Sequence, residues 1–185
     1  MASVDALTAP VEVVAPRLLG ATLTHAGVRL RVTEVEAYSG AGEDAASHAH
    51  RGPTPRTVPM FGPVGHAYVY RSYGVHWCLN LVCGDAPGSA VLIRALQPLH
   101  GLELMRRRRA LDDPRRLCSG PGRLCQALDV TAALDGHPLD APPFRLMASA
   151  AASPVAAGPR IGISKGTGTP WRFVLPGSRF LSRPG

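Results

Sequence analysis

The chain has 185 residues, enough to bury a core as one domain without disulfide or metal staples. Twenty Lys+Arg against 13 Asp+Glu give a net charge of +7 and a pI near 9.9, which favours an anionic partner, nucleic acid ahead of an acidic membrane surface. The four cysteines form no C-x-x-C pair, which excludes a zinc knuckle or a small disulfide framework, and no segment approaches the ~20 apolar residues of a membrane span.

The opening "MASVDALTAPVEVV" lacks the basic-then-apolar layout of a signal peptide, so a cytoplasmic protein is expected, nucleoid-associated in a bacterium. Residues 1–10 are expected to be flexible. "LLGATLTHAGVRLRVTEVEAY" then reads as two strands joined at "HAG", a hairpin with Gly27 in the turn. Counting by twos, Val28, Leu30, Val32, Glu34 and Glu36 share one side of the second strand. Two acids thus end an apolar face, and a carboxylate there either pairs with a cation or does chemistry.

Residues 39–65 form a long loop rich in Gly, Pro and His, a length that marks a functional or disordered segment, with Met60 and Phe61 as anchors. "HAYVYRSYG", "VHWCLNLVCG" and "SAVLIRALQP" are three further strands divided by Gly74 and "GDAPG", a spacing that favours antiparallel pairing. "LHGLELMRRRRALDD" is helical, with Arg106 to Arg109 fanned around its circumference. "GPGRLCQALDV" is a second short helix, and "MASAAASPVAAGP" a low-complexity surface linker. "RIGISKGTGTPWRFVLPGSRF" closes the chain as two strand-like pieces around a Gly-rich turn.

Several of these residues suit chemistry. In "SAVLIRAL" the even positions Ala90, Leu92, Arg94 and Leu96 share a face, which puts Arg94 among core residues. A buried guanidinium needs an anionic partner, and Glu36 is a candidate, either as a structural ion pair or as part of a site. Tyr68, Tyr70 and Tyr73 fall within six residues, with Tyr38 just beyond Glu36. Each alone reads as core packing; together, in a basic protein beside a carboxylate, they suit stacking on nucleobases.

His48 and His50 could pass for a metal pair, but no acid or cysteine stands at a telling distance. "GPGRLCQAL" offers a Gly-rich entry to a helix N-terminus that suits a phosphate, and "GTGTPW" reads as a turn. Lys165 is the single lysine. Schiff-base chemistry would have only that amine and the N-terminus, so a carboxylate-activated water is the simpler route.

"EVEAY", "EDAASHAHRGPTPR", "MFGPVGHAYVYRSYGVHWCLNLV", "AVLIRALQPL", "GPGRLCQAL" and "RIGISKGTGTPWRF" together resemble the alkyladenine (3-methyladenine) DNA glycosylase family, over Leu18 to Arg183. The resemblance implies a single α/β domain of α+β type, a curved antiparallel sheet with flanking helices, working without a cofactor or metal; nothing in the sequence suggests an obligate dimer, so a monomer is expected. It places Glu36 as the general base, with Arg94 and the carbonyl of Ile161 as contacts of the attacking water. It makes Tyr38, His48 and Tyr70 the walls around a flipped base, and Asn80 the floor residue that bars the exocyclic amine of guanine. Tyr73 matches the wedge that enters the duplex, and Val75, Arg56 and Arg123 fall among DNA contacts. Glu34 reads as structural.

Val75 stands where a methionine is frequent and Thr57 where asparagine is expected, which bears on substrate preference rather than on the reaction. The implied partner is double-stranded DNA containing alkylated purines (3-methyladenine, 7-methylguanine) or deaminated and etheno purines. A non-catalytic module for damaged DNA, with Glu36–Arg94 only structural, and a metal hydrolase using His48 and His50 are the alternatives.

Overall fold

One long strand, β2 (Val28–Tyr38), organises the molecule. The computed structural model describes residues 4–183. On one edge β2 meets β1 (Thr22–His25) through a turn at Ala26 and Gly27, whose φ values of 47° and 83° have the signs a type I′ hairpin turn requires. Its other edge pairs along nearly its whole length with β5 (Ala90–His100). Beyond β5 lie β4 (His76–Val82) and β3 (Ala67–Ser72), and beyond β1 lies β6 (Phe144–Met147). Two three-residue strands, β7 (Ala156–Gly158) and β8 (Arg172–Val174), complete the sheet, with β8 paired to β2.

Every pairing is antiparallel. Among the described residues five short helices flank the sheet: α1 (Val4–Leu7), α2 (Val11–Arg17), α3 (Leu102–Arg109), α4 (Pro114–Leu117) and α5 (Pro121–Leu128). The result is the single α+β domain with a curled antiparallel sheet that the sequence implies.

The decisive local feature is a double irregularity in the β2–β5 ladder. Val32 pairs with Leu96 and Glu34 with Ala95, so Thr33 is an extra residue on β2; Val35 then pairs with Ile93, which leaves Arg94 as the extra residue on β5. The bulge falls where β2 changes neighbours, from β1 opposite residues 28–31 to β8 opposite residues 34–36. Bulges bend a strand and re-aim the side chains beyond them.

The phase of β2 flips as a result. Val28, Leu30 and Val32 lie in the main core, and beyond the bulge the core residues are Val35 and Ala37. Glu34 and Glu36 therefore face away from that core, contrary to the count by twos, which assumed an unbroken strand. β5 behaves alike. Ala90, Leu92 and Arg94 share the outer face, whereas Val91, Ile93 and, past the bulge, Leu96 join the core.

Behind the sheet that core is filled by α2 (Val14), α5 (Leu124, Leu128) and the apolar faces of β4 and β5. Burying one such side chain contributes about 1.5–3 kcal/mol. A second, smaller cluster (Ala49, Met60, Tyr68, Val82, Ala90) lies on the opposite side, so Met60 does anchor the long loop.

Other expectations need revision at the ends. Only one strand forms in the closing segment, β8, while Ile161 and its neighbours run as irregular chain. Part of the low-complexity stretch is strand β7, because the edge of β8 offers unpaired backbone groups that Ala156–Gly158 satisfy. Helix α2 is too short, and too interrupted by Pro16, to leave a periodic signal. Within the segment 1–10, residues 1–3 lie outside those described.

Candidate active site

The face of the sheet opposite the core opens into a cavity of about 490 Å³. Tyr38 from β2, Tyr70 from β3, Asn80 from β4 and Arg94 from β5 line it, joined by His48 and Arg56 from the long loop, by Tyr73, and by the irregular run 161–165. The curl of the sheet brings these strands to one place, and the bulge turns β2 and β5 so that their polar side chains face it.

Beneath the cavity lies Glu36, fully buried. Its Oε2 accepts hydrogen bonds from the Tyr38 hydroxyl at 2.8 Å and from Arg94 Nη1 at 3.3 Å; its Oε1 accepts the amide N–H of Ile161 at 2.7 Å. All three donors belong to residues that line the cavity. Burial in the first place, and the neighbouring Glu36 carboxylate next, push the Tyr38 phenol far above its ordinary range, so it remains a donor.

Glu34 is just as buried and quite differently placed. Arg94 Nε (3.2 Å), Arg172 Nε (2.8 Å) and the Ser182 hydroxyl (2.7 Å) all meet its Oε1, and the Ser182 amide donates to Oε2 at 2.6 Å. A carboxylate enclosed by two guanidiniums and a backbone amide has no room for a substrate. Arg94 links the two glutamates and, with Arg172 on Glu34, completes a buried four-charge group of the kind that is expensive unless fully paired.

The aromatic walls are ordered by contact. Tyr68 and Tyr70 stack with centroids 5.4 Å apart, and His48 meets Tyr70 edge-on at 4.5 Å. His48 Nδ1 lies 3.3 Å from the Tyr68 hydroxyl. Burial first, and then the nearby Arg56, lower the His48 pKa below its ordinary value, so the ring is neutral at neutral pH. Burial raises the Tyr68 phenol to about 12. Asn80 is 4% exposed and donates from Nδ2 to the Tyr68 carbonyl at 3.0 Å, which fixes its amide in the cavity floor.

Tyr73 differs from all of these. It is 91% exposed and has φ +49°, followed by Gly74 at +66°. The Val75 N–H donates to the Ser72 carbonyl at 3.0 Å across this tip of the β3–β4 hairpin. A non-glycine residue at positive φ is uncommon, and for a bulky side chain it carries a backbone cost.

Val75 and Arg123 stand outside the cavity. Val75 is exposed beside Tyr73 and borders a separate shallow cleft. Arg123, near the start of α5, bonds the Ser119 carbonyl and hydroxyl and points to solvent. The Arg106–Arg109 run fans out as expected: Arg108 reaches the carbonyls of Ala26 and Ala127, and Arg109 that of Leu117. His48 faces the tyrosines, and among the described residues no group of three His, Cys, Asp or Glu side chains is placed to hold a metal ion. The four cysteines are free and buried.

Sequence reasoning missed three supports. Arg160, fully buried, holds Asp44 of the long loop at 2.5 and 3.0 Å, bonds the Ala37 carbonyl at 2.9 Å, and lies 4.7 Å over the Tyr38 ring. Arg172 and Ser182 serve Glu34. The signal for Arg160 was a lone arginine amid the apolar and glycine-rich "GPRIGI"; Ser182 left none.

Comparison with known proteins identifies the family. Residues 5–179 match the family model of methylpurine-DNA glycosylase. A Rhodopseudomonas palustris (strain CGA009) protein is 57% identical over 94% of this chain and 84% of its own length. Relatives in Nitrobacter winogradskyi (58% identical; 92% and 82% covered) and Nitrosospira multiformis (55%; 98% and 93%) are equally similar. All three are named as candidate 3-methyladenine DNA glycosylases.

Proposed function

The chain belongs to the methylpurine-DNA glycosylase family, DNA-repair hydrolases of N-glycosyl bonds, and from that premise we propose that Glu36 activates the water that releases a damaged purine from duplex DNA. One observation carries the reading: a buried carboxylate whose three donors all line the same cavity. A glycosidic carbon inside stacked DNA is out of reach, so the nucleotide is extruded into the cavity at a cost of a few kcal/mol. Tyr73, already projecting from the hairpin tip, fills the gap it leaves.

In the cavity the purine stacks among Tyr38, His48 and Tyr70. Alkylation makes it cationic, and aromatic faces attract a cation by ~0.5–2 kcal/mol. A neutral His48 adds no opposing charge. Asn80 closes the floor against the exocyclic amine of guanine, which is rejection by clash.

As the base departs, positive charge develops on the sugar. Glu36 stabilises that charge and takes a proton from water, while Arg94 and the carbonyl of Ile161 hold the water in line. Alkylated, deaminated and etheno purines fit this chemistry, and the protein acts as a monomer on double-stranded DNA, with Arg56, Val75 and Arg123 meeting the DNA around the opening. The test is an oligonucleotide with one lesion, incubated in excess EDTA. The native protein should release free base, and Glu36→Gln should bind the lesion yet release base about 10²–10⁴-fold more slowly. Near-normal release by the variant would remove Glu36 from the reaction.

A further inference from the structure

The closing residues of the chain are tied to the catalytic floor at four points. The Thr33 hydroxyl, at the bulge itself, donates to the Phe180 carbonyl at 2.6 Å. The Ser182 amide and hydroxyl donate to Glu34, and the Ser182 oxygen accepts from Arg94 Nε and Nη2, both at 3.4 Å. Arg172 Nη2 donates to the Arg183 carbonyl at 3.1 Å. These groups are more than 140 residues apart in sequence at Glu34–Ser182, with a separation of 148.

We propose that Ser182 is a positioning residue for the glycosylase reaction: by satisfying Glu34 and engaging Arg94 Nε and Nη2, it directs Arg94 Nη1 to Glu36. The proposal rests on Glu36 being the base. Arg94 is shared between two carboxylates, Nε with Glu34 and Nη1 with Glu36. Which of them it favours depends on what else each possesses.

Glu34 has Arg172 and both donors of Ser182; Glu36 has Tyr38 and the Ile161 amide. Remove the Ser182 hydroxyl and Glu34 Oε1 loses one donor, while Arg94 loses the oxygen that holds two of its nitrogens. The guanidinium then moves toward Glu34 to compensate, since an under-paired buried carboxylate is costly. Glu36 is left with less positive charge beside it.

Among the described residues, the charged and titratable groups around Glu36 and Arg94 are Glu34 and Tyr38 on β2, Cys78 on β4, Arg94 on β5, Arg172 on β8, and Arg160 with its partner Asp44 behind Tyr38. None but Arg94 contacts both glutamates. A change in its aim should therefore be read directly at Glu36.

The experiment is the pH dependence of single-turnover base release by native protein, S182A and S182T, with E36Q in parallel. In S182A the acid limb should move upward, because a positive charge beside a carboxylate favours its ionised form and here that charge is withdrawn. S182T keeps the hydroxyl and should restore the native limb. An acid limb unmoved in S182A overturns the proposal, whatever happens to turnover, and so does a displaced limb that S182T fails to restore. If E36Q retains activity, the reading of Glu36 itself has failed; if E36Q is inactive and the S182A limb is native, only the role of Ser182 has.

Discussion

The floor of the cavity and the tip of the β3–β4 hairpin carry the two halves of the proposed reaction and are built on opposite principles. At the floor, Glu36 has a full set of donors, Glu34 is enclosed, and Arg160 locks Tyr38 from behind. At the tip, Tyr73 is 91% exposed and its backbone is in a conformation suited to Gly or Asn. Chemistry on a bond needs groups that cannot move, so the floor is over-determined. Entry into a duplex needs a side chain that touches nothing until DNA arrives, so the tip is left bare and strained.

The largest expected effect tests whether the floor acts independently of DNA context. Glu36→Gln should lower base release by about 10²–10⁴-fold, the usual contribution of a general base, and by the same factor from a stacked duplex, a mismatch and a single strand. A loss that varied strongly with context would mean that Glu36 also serves extrusion, and the division between floor and tip would break.

The second prediction concerns stability. Arg160→Ala leaves Asp44 buried without its partner and strips the support from Tyr38, and breaking a buried pair costs about 3–5 kcal/mol. Chemical denaturation should show a loss of that order. A loss below about 1 kcal/mol, the size of an exposed pair, would show that the ion pair is not what ties the long loop to the sheet.

That pair also shows where the sequence was legible and where it was not. The strands around Gly27 and Gly74, and the antiparallel pairing, could be read because turn chemistry and period-2 alternation are local. The orientation of Glu34 and Glu36 could not. It depends on a bulge at Thr33, and that bulge arises where β2 changes partner from β1 to a strand some 140 residues later. Arg160 with Asp44, 116 residues apart, and Ser182 with Glu34 are equally non-local. Resemblance and a charge in an apolar strand single out Glu36 as a candidate, but the count by twos gives its facing the wrong way. Tyr73 was legible for a simpler reason, as an aromatic set beside a glycine.

A third prediction separates wall from wedge. Tyr73→Ser should reduce excision from a well-stacked duplex by about 10- to 100-fold, corresponding to the few kcal/mol that extrusion costs, and hardly change excision from a mismatch or single strand. Tyr70→Ser, which removes a wall stacked on Tyr68 and met edge-on by His48, should damage all three. Equal losses for Tyr73→Ser across the substrates would place its role in the cavity, whose rim it also lines.

The smallest effect has the opposite sign and is the sharpest test of the tip. Tyr73 and Gly74 carry φ +49° and +66°, closed by the Val75–Ser72 hydrogen bond. Asn followed by Gly is the preferred pair for a turn with both central residues at positive φ, because the short polar side chain tolerates that region. The hairpin of β1 and β2 makes the same demand at Ala26 and Gly27 and meets it with a small residue, whose carbonyl Arg108 ties down at 2.8 Å. Among the described residues nothing comparable holds Tyr73, so its replacement removes strain without removing packing. Tyr73→Asn should therefore raise the unfolding free energy by roughly 0.5–1 kcal/mol, the scale of a relieved backbone conformation, while excision from duplex DNA falls as in Tyr73→Ser. Thermal and urea unfolding, run beside the excision assay, measure both. A less stable variant would mean that the exposed ring packs in solution and contributes to the fold, and the tip would then belong with the floor as a structural element.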